Sequence, residues 1–171
     1  MYICCISISF RGVAQPGSAS GLGPEGRRFK SCRPDHFMKI SKTVVIGSGT
    51  MGSGIAAQLC NANIPVTLLD LKTEISQKAK DKIFNSRPPL LIDKSKIENI
   101  KVGNIQDDFN VVKDADWVIE AVVERIDIKH RIYEKIFKAR KSGAIVSSNT
   151  SSIPIKILSQ NLSNQEKKLR K

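Results

Sequence analysis

The sequence lacks the patterns that mark metal-binding, membrane and secreted proteins. Its cysteines, Cys4, Cys5, Cys32 and Cys60, have no spacing typical of a metal site or a redox pair, which favours a reducing compartment. No apolar run approaches the roughly 20 residues of a transmembrane helix, and the opening MYICCISISF has neither the basic start nor the cleavage site of a signal peptide. We therefore expect a cytoplasmic protein with no metal and no membrane partner.

The formal net charge of +12 is concentrated towards the two ends of the 171-residue chain. Residues 1–37 hold five basic and two acidic side chains, and the final KKLRK holds four basic ones. A nucleic-acid binder that uses both ends is one alternative. Because the rest of the chain has an ordinary charge balance, we expect no nucleic-acid partner.

The segment GVAQPGSASGLGPEGRRFKSCRPDHFM, residues 12–38, is rich in glycine, proline and arginine and has almost no apolar periodicity. Permitted codons for residues 11–36 resemble a proline transfer-RNA gene, with paired stems and a terminal CCA. We therefore interpret residues 1–37 as a spurious, disordered leader. The predicted domain covers residues 38–160, and residues 161–171 form a basic tail.

A glycine-rich turn between a buried strand and a helix is the most informative motif. The β-branched run Val44–Ile46 predicts a parallel strand, and Ile55–Asn61 predicts a helix. Between them, residues 47–52 read GSGTMG, which is the G-x-G-x-x-G pattern of dinucleotide-binding turns. A purely structural turn is the alternative to dinucleotide binding.

Each residue of this turn has an expected role. Gly47 permits the tight turn, Gly49 lets a pyrophosphate approach the backbone, and Gly52 lets the helix pack close to the strand. Thr50 and Met51 complete the cofactor-binding turn, where free N–H groups and the helix dipole favour the pyrophosphate.

An acidic residue follows the second predicted strand, Val66–Leu69. Asp70 comes eighteen residues after Gly52, at the position where a carboxylate accepts hydrogen bonds from an adenosine ribose. A carboxylate there repels a 2′-phosphate, so the sequence predicts NAD rather than NADP as the cofactor.

The remaining chain alternates helices and strands, which predicts an α/β fold: a Rossmann-type, doubly wound parallel sheet, truncated after the fifth strand. Ligands of such sheets bind beyond the carboxyl ends of the strands, where Glu124 and Asn149–Ser151 are expected. The further predicted elements are Thr73–Asn85, Ile100–Val102, Asp108–Asp114, Trp117–Val122, Ile126–Arg140 and Ala144–Ser147.

The motifs VIGSGTMGSGIA, WVIEAVVERIDIK and SSNTSSIPI, together with Asp70, resemble the NAD-binding domain of 3-hydroxyacyl-CoA dehydrogenases, especially the long bacterial β-oxidation forms. The resemblance runs from about Ile40 to Leu158. It implies oxidation of a 3-hydroxyacyl-CoA to the 3-ketoacyl-CoA with hydride transfer to NAD. The 3-hydroxyisobutyrate type of dehydrogenase shares only the first of these motifs.

The resemblance also assigns roles to residues of the second half. Glu124 and Lys129 match family residues near the nicotinamide ribose, and Asn149 matches one that contacts the nicotinamide. Ser151 matches a catalytic residue that hydrogen-bonds the 3-oxygen of the substrate. From the residues alone, Glu124 is equally well a solvated acid and Ser151 a helix cap.

The family's general base, a histidine in an H-F-F-N-P motif, has no match among the two histidines of this chain. His36 precedes the domain, and His130 is predicted on the solvated face of a helix. We expect a truncated or split gene product that binds NAD without efficient catalysis and leaves Ala144–Ser147 as a sheet edge. A non-catalytic NAD-binding module or gene remnant, complemented by a separately encoded C-terminal half, is the alternative.

Overall fold

The computed structural model describes residues 40–160. The interpretation of residues 1–37 as a leader and of residues 161–171 as a basic tail lies outside this part of the chain. The proposed domain boundaries therefore stay predictions.

Five parallel strands form the centre of the described domain. The sheet has the order β3-β2-β1-β4-β5, so the chain first builds outwards on one side of β1 and then crosses to the other side. This reversal makes β1 and β4 the switch point of a doubly wound sheet, beyond whose carboxyl ends ligands bind. The strands are β1 (Thr43–Ile46), β2 (Val66–Asp70), β3 (Ile100–Asn104), β4 (Trp117–Glu120) and β5 (Ile145–Ser148).

Helices and two short 3₁₀ segments connect the strands, and a last helix follows β5. The helices are α1 (Thr50–Asn61), α2 (Thr73–Asn85), α3 (Ile126–Ala139) and α4 (Ile155–Leu158), and the 3₁₀ segments are Lys94–Asn99 and Phe109–Asp114. Within residues 40–160, no helix has the length and apolar character needed to cross a bilayer. The fold class predicted from the sequence is confirmed.

Alternation along the strands divides the core between the two faces of the sheet. Val44 and Ile46 of β1 pack in one cluster with Ile136 of α3, whereas Val45 packs in a second cluster on the opposite face. The second cluster includes buried residues of α1 and α2. Burial on both faces explains why the strands read as continuous apolar runs.

Helix α1 and strand β4 have boundaries that differ from the prediction for local reasons. Helix α1 begins at Thr50 rather than Ile55, because Gly49 is its N-cap and the glycine turn leads directly into the helix. Strand β4 ends at Glu120 rather than Val122, where the N–H of Val122 turns back to the carboxylate of Glu120 at 2.9 Å. Among the described strands, β5 lies at a sheet edge, as expected.

Candidate functional site

Two glycines of the turn have no room for a side chain: one lies against the residue that follows β4, the other against the turn itself. Gly47 has a φ of +103°, and a Cβ built there would lie 2.5 Å from the carbonyl oxygen of Ala121. A Cβ at Gly52 would collide with the carbonyl oxygen of Gly47. Side chains at these two positions would therefore force the turn, β4 and α1 apart.

Gly49 has a different environment, because a Cβ built there would have no atom within 4 Å. Thr50 and Met51 follow it and are both exposed, Met51 at 57%. The turn is therefore open at the N-terminus of α1, beside free backbone N–H groups. This open space fits a pyrophosphate group, which binds at helix N-termini.

Asp70 lies at the carboxyl end of β2 and is bonded to the glycine turn. Its Oδ2 accepts hydrogen bonds from the backbone N–H of Ser48 at 2.7 Å and from the Ser48 hydroxyl at 2.6 Å. Its Oδ1 accepts from the N–H of Leu71 at 2.7 Å. The G-x-G-x-x-G pattern does not specify Ser48, whose side chain connects the glycine turn to Asp70.

Two exposed apolar side chains lie on either side of β1 near this turn. Leu71 directly follows β2 and is 70% exposed, while Val123 follows β4 and is 61% exposed. Exposed apolar groups of this size beside a glycine turn provide surface for a flat aromatic ring.

A buried polar network fills the space between β4, α3 and β5. Glu120 is fully buried, and its carboxylate accepts hydrogen bonds from Lys129 Nζ at 2.7 Å, the Tyr133 hydroxyl at 2.9 Å and the Ser148 hydroxyl at 2.7 Å. Burial, with the charge of Glu120 beside it, raises the pKa of Tyr133, so its phenol stays protonated and donates. No motif assigned a role to Glu120.

Lys129 belongs to the same buried network, and its position near the nicotinamide ribose, which the resemblance implies, stays a prediction. Its side chain is fully buried, and its ammonium lies 2.7 Å from Glu120 and 3.2 Å from Glu124 Oε2. Lys129 therefore reaches the carboxyl edge of the sheet through Glu124.

Glu124 connects the segment after β4 to the segment after β5. Its Oε1 accepts hydrogen bonds from the Thr150 hydroxyl at 2.5 Å, from the N–H groups of Ser151 and Ser152 at 3.1 Å each, and from the Ser152 hydroxyl at 2.9 Å. The hydrogen bond from Thr150, followed by that from the N–H of Ser152, holds the pKa of Glu124 well below its usual range. Glu124 is thus an ionised anchor for this segment rather than an unpartnered solvated acid.

Asn149 and Ser151 lie on the segment that Glu124 anchors. The N–H of Asn149 donates to the carbonyl oxygen of Glu120 at 2.8 Å, and Ser151 is exposed. Ser151 is not a helix cap, because α4 begins at Ile155 with Pro154 at its N-cap position. The structure therefore brings Glu124, Asn149 and Ser151 together at one edge of the sheet.

His130 is partly buried, so its placement on a solvated face was wrong. Its Nε2 lies 3.2 Å from the carbonyl oxygen of Ile157, at the start of the contact between α3 and α4. Helix α4, which entered the sequence analysis only as the alternative in which Ser151 caps a helix, packs against α3. The ring is a packing contact between two helices.

Comparison with known proteins identifies the domain. The family model for the 3-hydroxyacyl-CoA dehydrogenase, NAD binding domain, matches residues 42–170. The chain belongs to this family. The cofactor of 3-hydroxyacyl-CoA dehydrogenase NAD-binding domains is NAD, in agreement with the cofactor predicted from Asp70 and the glycine turn.

Relatives of this dehydrogenase domain are considerably longer. The chain is 44% identical over 125 residues to a probable 3-hydroxyacyl-CoA dehydrogenase of Deinococcus radiodurans, covering 69% of this chain and 36% of that protein. It is 42% identical over 131 residues to a putative fatty acid oxidation complex trifunctional enzyme of Rickettsia felis, covering 72% of this chain and 18% of that protein.

Solved structures of dehydrogenases share the fold. The 3-hydroxybutyryl-CoA dehydrogenase of Escherichia coli K12 matches with a TM-score of 0.65 and 29% identity, over 74% of this chain and 28% of that chain. The (S)-3-hydroxybutyryl-CoA dehydrogenase of Ralstonia eutropha matches with a TM-score of 0.60 and 29% identity, over 71% of this chain and 44% of that chain.

Proposed function

We propose that this chain is the cofactor-binding part of an enzyme that oxidises 3-hydroxyacyl-CoA to 3-ketoacyl-CoA with NAD. The observation that carries the proposal is the arrangement at the carboxyl edge of the sheet. The open glycine turn and Asp70 lie on one side of the switch point, and Glu124 and Asn149–Ser151 lie on the other. A dinucleotide is long enough to span such a switch point.

The two halves of the cofactor would contact different residues. The N–H groups at the start of α1 would hold the pyrophosphate beside Gly49, and Asp70 would accept hydrogen bonds from the adenosine ribose. The exposed side chains of Leu71 and Val123 offer an apolar surface for the adenine. Asn149 and Glu124 would contact the nicotinamide riboside at the other end.

When bound, NAD supplies the acceptor for the hydride that leaves the 3-carbon of the substrate. Ser151 would donate a hydrogen bond to the 3-oxygen of the substrate and so favour a polarised C–O bond. The proton of the 3-hydroxyl needs a base. His130 does not match the family's catalytic histidine, and its ring packs against the carbonyl oxygen of Ile157 between α3 and α4. We propose that the base belongs to a further polypeptide segment, such as a separately encoded C-terminal half.

A non-catalytic NAD-binding module is a second candidate function, favoured by the packing of His130 against the carbonyl oxygen of Ile157. A 3-hydroxyacyl-CoA assay of the full chain tests both candidates, because each of them predicts no efficient turnover by this chain alone. Normal turnover would show that the chain carries its own base and would contradict both the split site and the non-catalytic module. In either case we propose a cytoplasmic protein that does not bind nucleic acid, because the cysteines lack the spacing of a redox pair and the positive charge is concentrated towards the two ends.

Titration of the full chain with NADH, followed by fluorescence, tests the cofactor site. We expect saturable binding that Asp70→Ala weakens by about tenfold, since a charged hydrogen-bond acceptor is lost. Asp81→Ala removes a carboxylate from the exposed face of α2 and serves as the matched control. Folded protein that does not bind NADH, or equal effects of the two substitutions, would contradict the assignment.

A further inference from the structure

We propose that Glu120 is a positioning residue for the nicotinamide end of the cofactor site. It orients Glu124 through Lys129 and thereby holds the segment Asn149–Ser152 in place. The inference rests on the proposed function and deepens it, because it assigns a role to a residue with no access to the ligand.

The geometry around Glu120 connects three elements at one buried point. Its Oε1 accepts from Lys129 Nζ and from the N–H of Val122, and its Oε2 accepts from the hydroxyls of Tyr133 and Ser148. These donors belong to the turn after β4, to α3 and to the end of β5. A carboxylate with a bond to each of these elements fixes their relative positions.

Lys129 connects the buried Glu120 to the partly exposed Glu124. Its ammonium contacts Glu120 at 2.7 Å and Glu124 at 3.2 Å, and its own side chain is fully buried. Glu124 is 34% exposed at its side chain, and its second carboxylate oxygen holds Thr150, Ser151 and Ser152. The chain of contacts thus runs from a buried carboxylate to the exposed edge of the sheet.

Glu120 also holds the beginning of the same segment through its main chain. Its carbonyl oxygen accepts the N–H of Asn149 at 2.8 Å, while its side chain bonds the preceding Ser148. The segment after β5 is therefore attached to Glu120 at Asn149 and, through Lys129 and Glu124, at the next three residues. Both attachments depend on the position of one residue.

The energetics favour a geometric role over a stabilising one. Desolvation of a buried ion pair offsets much of its Coulomb attraction, so such a pair adds little net stability compared with an apolar pair. Without the charge of Glu120, Lys129 would keep its contact with the partly exposed Glu124. Loss of the Glu120 charge would therefore draw Lys129 towards Glu124 and displace the segment that Glu124 anchors.

Comparison of NADH with ADP as ligands of the full chain tests the proposal. ADP carries the adenosine and pyrophosphate groups that Asp70 and the glycine turn would contact, but it lacks the nicotinamide riboside. We expect Glu120→Gln to raise the Kd for NADH by about tenfold and to change the Kd for ADP by less than about twofold. A residue that only stabilised the fold would affect both ligands equally.

Glu134→Gln is the matched control, because Glu134 is an exposed acid on the same helix as Lys129. Unchanged NADH affinity in Glu120→Gln, or equal losses for NADH and ADP, would overturn the positioning role while leaving the proposed function intact. Wild-type chain that binds neither ligand would overturn the proposed function and this inference together.

Tyr133→Phe provides a milder variant in case Glu120→Gln does not fold. It removes one hydroxyl from the buried Glu120 carboxylate and keeps both charges of the ion pair. We expect a Kd for NADH raised by about threefold and an unchanged Kd for ADP. Identical NADH affinity in wild type and Tyr133→Phe would then decide against the proposal.

Discussion

Asp70 and Ser48 are joined by two hydrogen bonds to one carboxylate oxygen, from the Ser48 N–H at 2.7 Å and from its hydroxyl at 2.6 Å. The residue expected to bind the adenosine ribose is therefore also part of the structure of the glycine turn. The second residue of the GSGTMG motif, which the pattern leaves unspecified, here connects the turn to the end of β2.

Ser48→Ala removes the shorter of these bonds and keeps the backbone one. We expect the free energy of unfolding to fall by about 1.5 kcal/mol, because a hydrogen bond to a carboxylate in a partly buried site is lost. Urea unfolding of the wild type and of Ser48→Ala measures the difference in free energy. Ser95→Ala, which breaks an exposed bond to Asp93, should cost clearly less, and the reverse order would refute the prediction.

Substitutions at two glycines of the turn should separate folding from binding. Gly49→Ala places a Cβ in open space at an ordinary φ of −63°, so the protein should keep its stability but bind NADH more weakly. Gly52→Ala directs its Cβ at the Gly47 carbonyl and should destabilise the domain by about 2 kcal/mol. Thermal unfolding and NADH titration of both variants test this, and a destabilised Gly49→Ala would be inconsistent with the open turn.

Glu124 should contribute stability that depends on pH. Because its pKa is lowered in the folded state, its contribution is present above its unfolded pKa, about 4.3, and is lost as the pH falls through the lower folded value. The Tm difference between wild type and Glu124→Gln should therefore be largest near neutral pH and shrink below about pH 4. The same series with Glu134→Gln should show no such trend, and a constant difference for Glu124→Gln would contradict the hydrogen bonds from Thr150 and Ser152 to an ionised Glu124.

Ile136 is fully buried where α3 packs on the sheet. Ile136→Ala should lower the free energy of unfolding by about 3 kcal/mol, through lost burial and the cavity that remains. Ile126, 40% exposed at the start of the same helix, provides the control, and its substitution by alanine should cost less than about 1 kcal/mol. If denaturant unfolding gave similar losses of free energy for the two variants, the result would argue against the orientation of α3 in which Ile136 faces the sheet.

Much of the fold follows from local pattern. Thr73–Asn85 begins and ends as predicted, because its amphipathic repeat is bounded by the following Ser86 and the Arg87-Pro-Pro break. The segment Lys94–Asn99 was missed. It begins with a local bond from the N–H of Ser95 to Asp93, a short capping signal in a stretch without clear periodicity.

The site was predictable only where its residues are contiguous. The spacing of the glycine turn and Asp70 predicted the adenosine half, and Glu124 and Ser151 entered through a family resemblance. Contacts across long separations, such as Thr150 with Glu124 and Ser148 with Glu120, leave no periodic trace in the sequence. Burial of Lys129 likewise depends on where α3 packs, and its place near the nicotinamide ribose stays a prediction.

Short-range chemistry in this chain specifies the alternation of strands and helices, the tight glycine turn and the acid that ends β2. Steric limits on φ and the period of apolar residues act over a few residues, so they can be read along the chain. The parallel sheet brings the ends of β4 and β5 together, and only then do Glu120, Lys129 and Glu124 become one network. Its members act through burial and mutual charge, which exist only after the chain has packed.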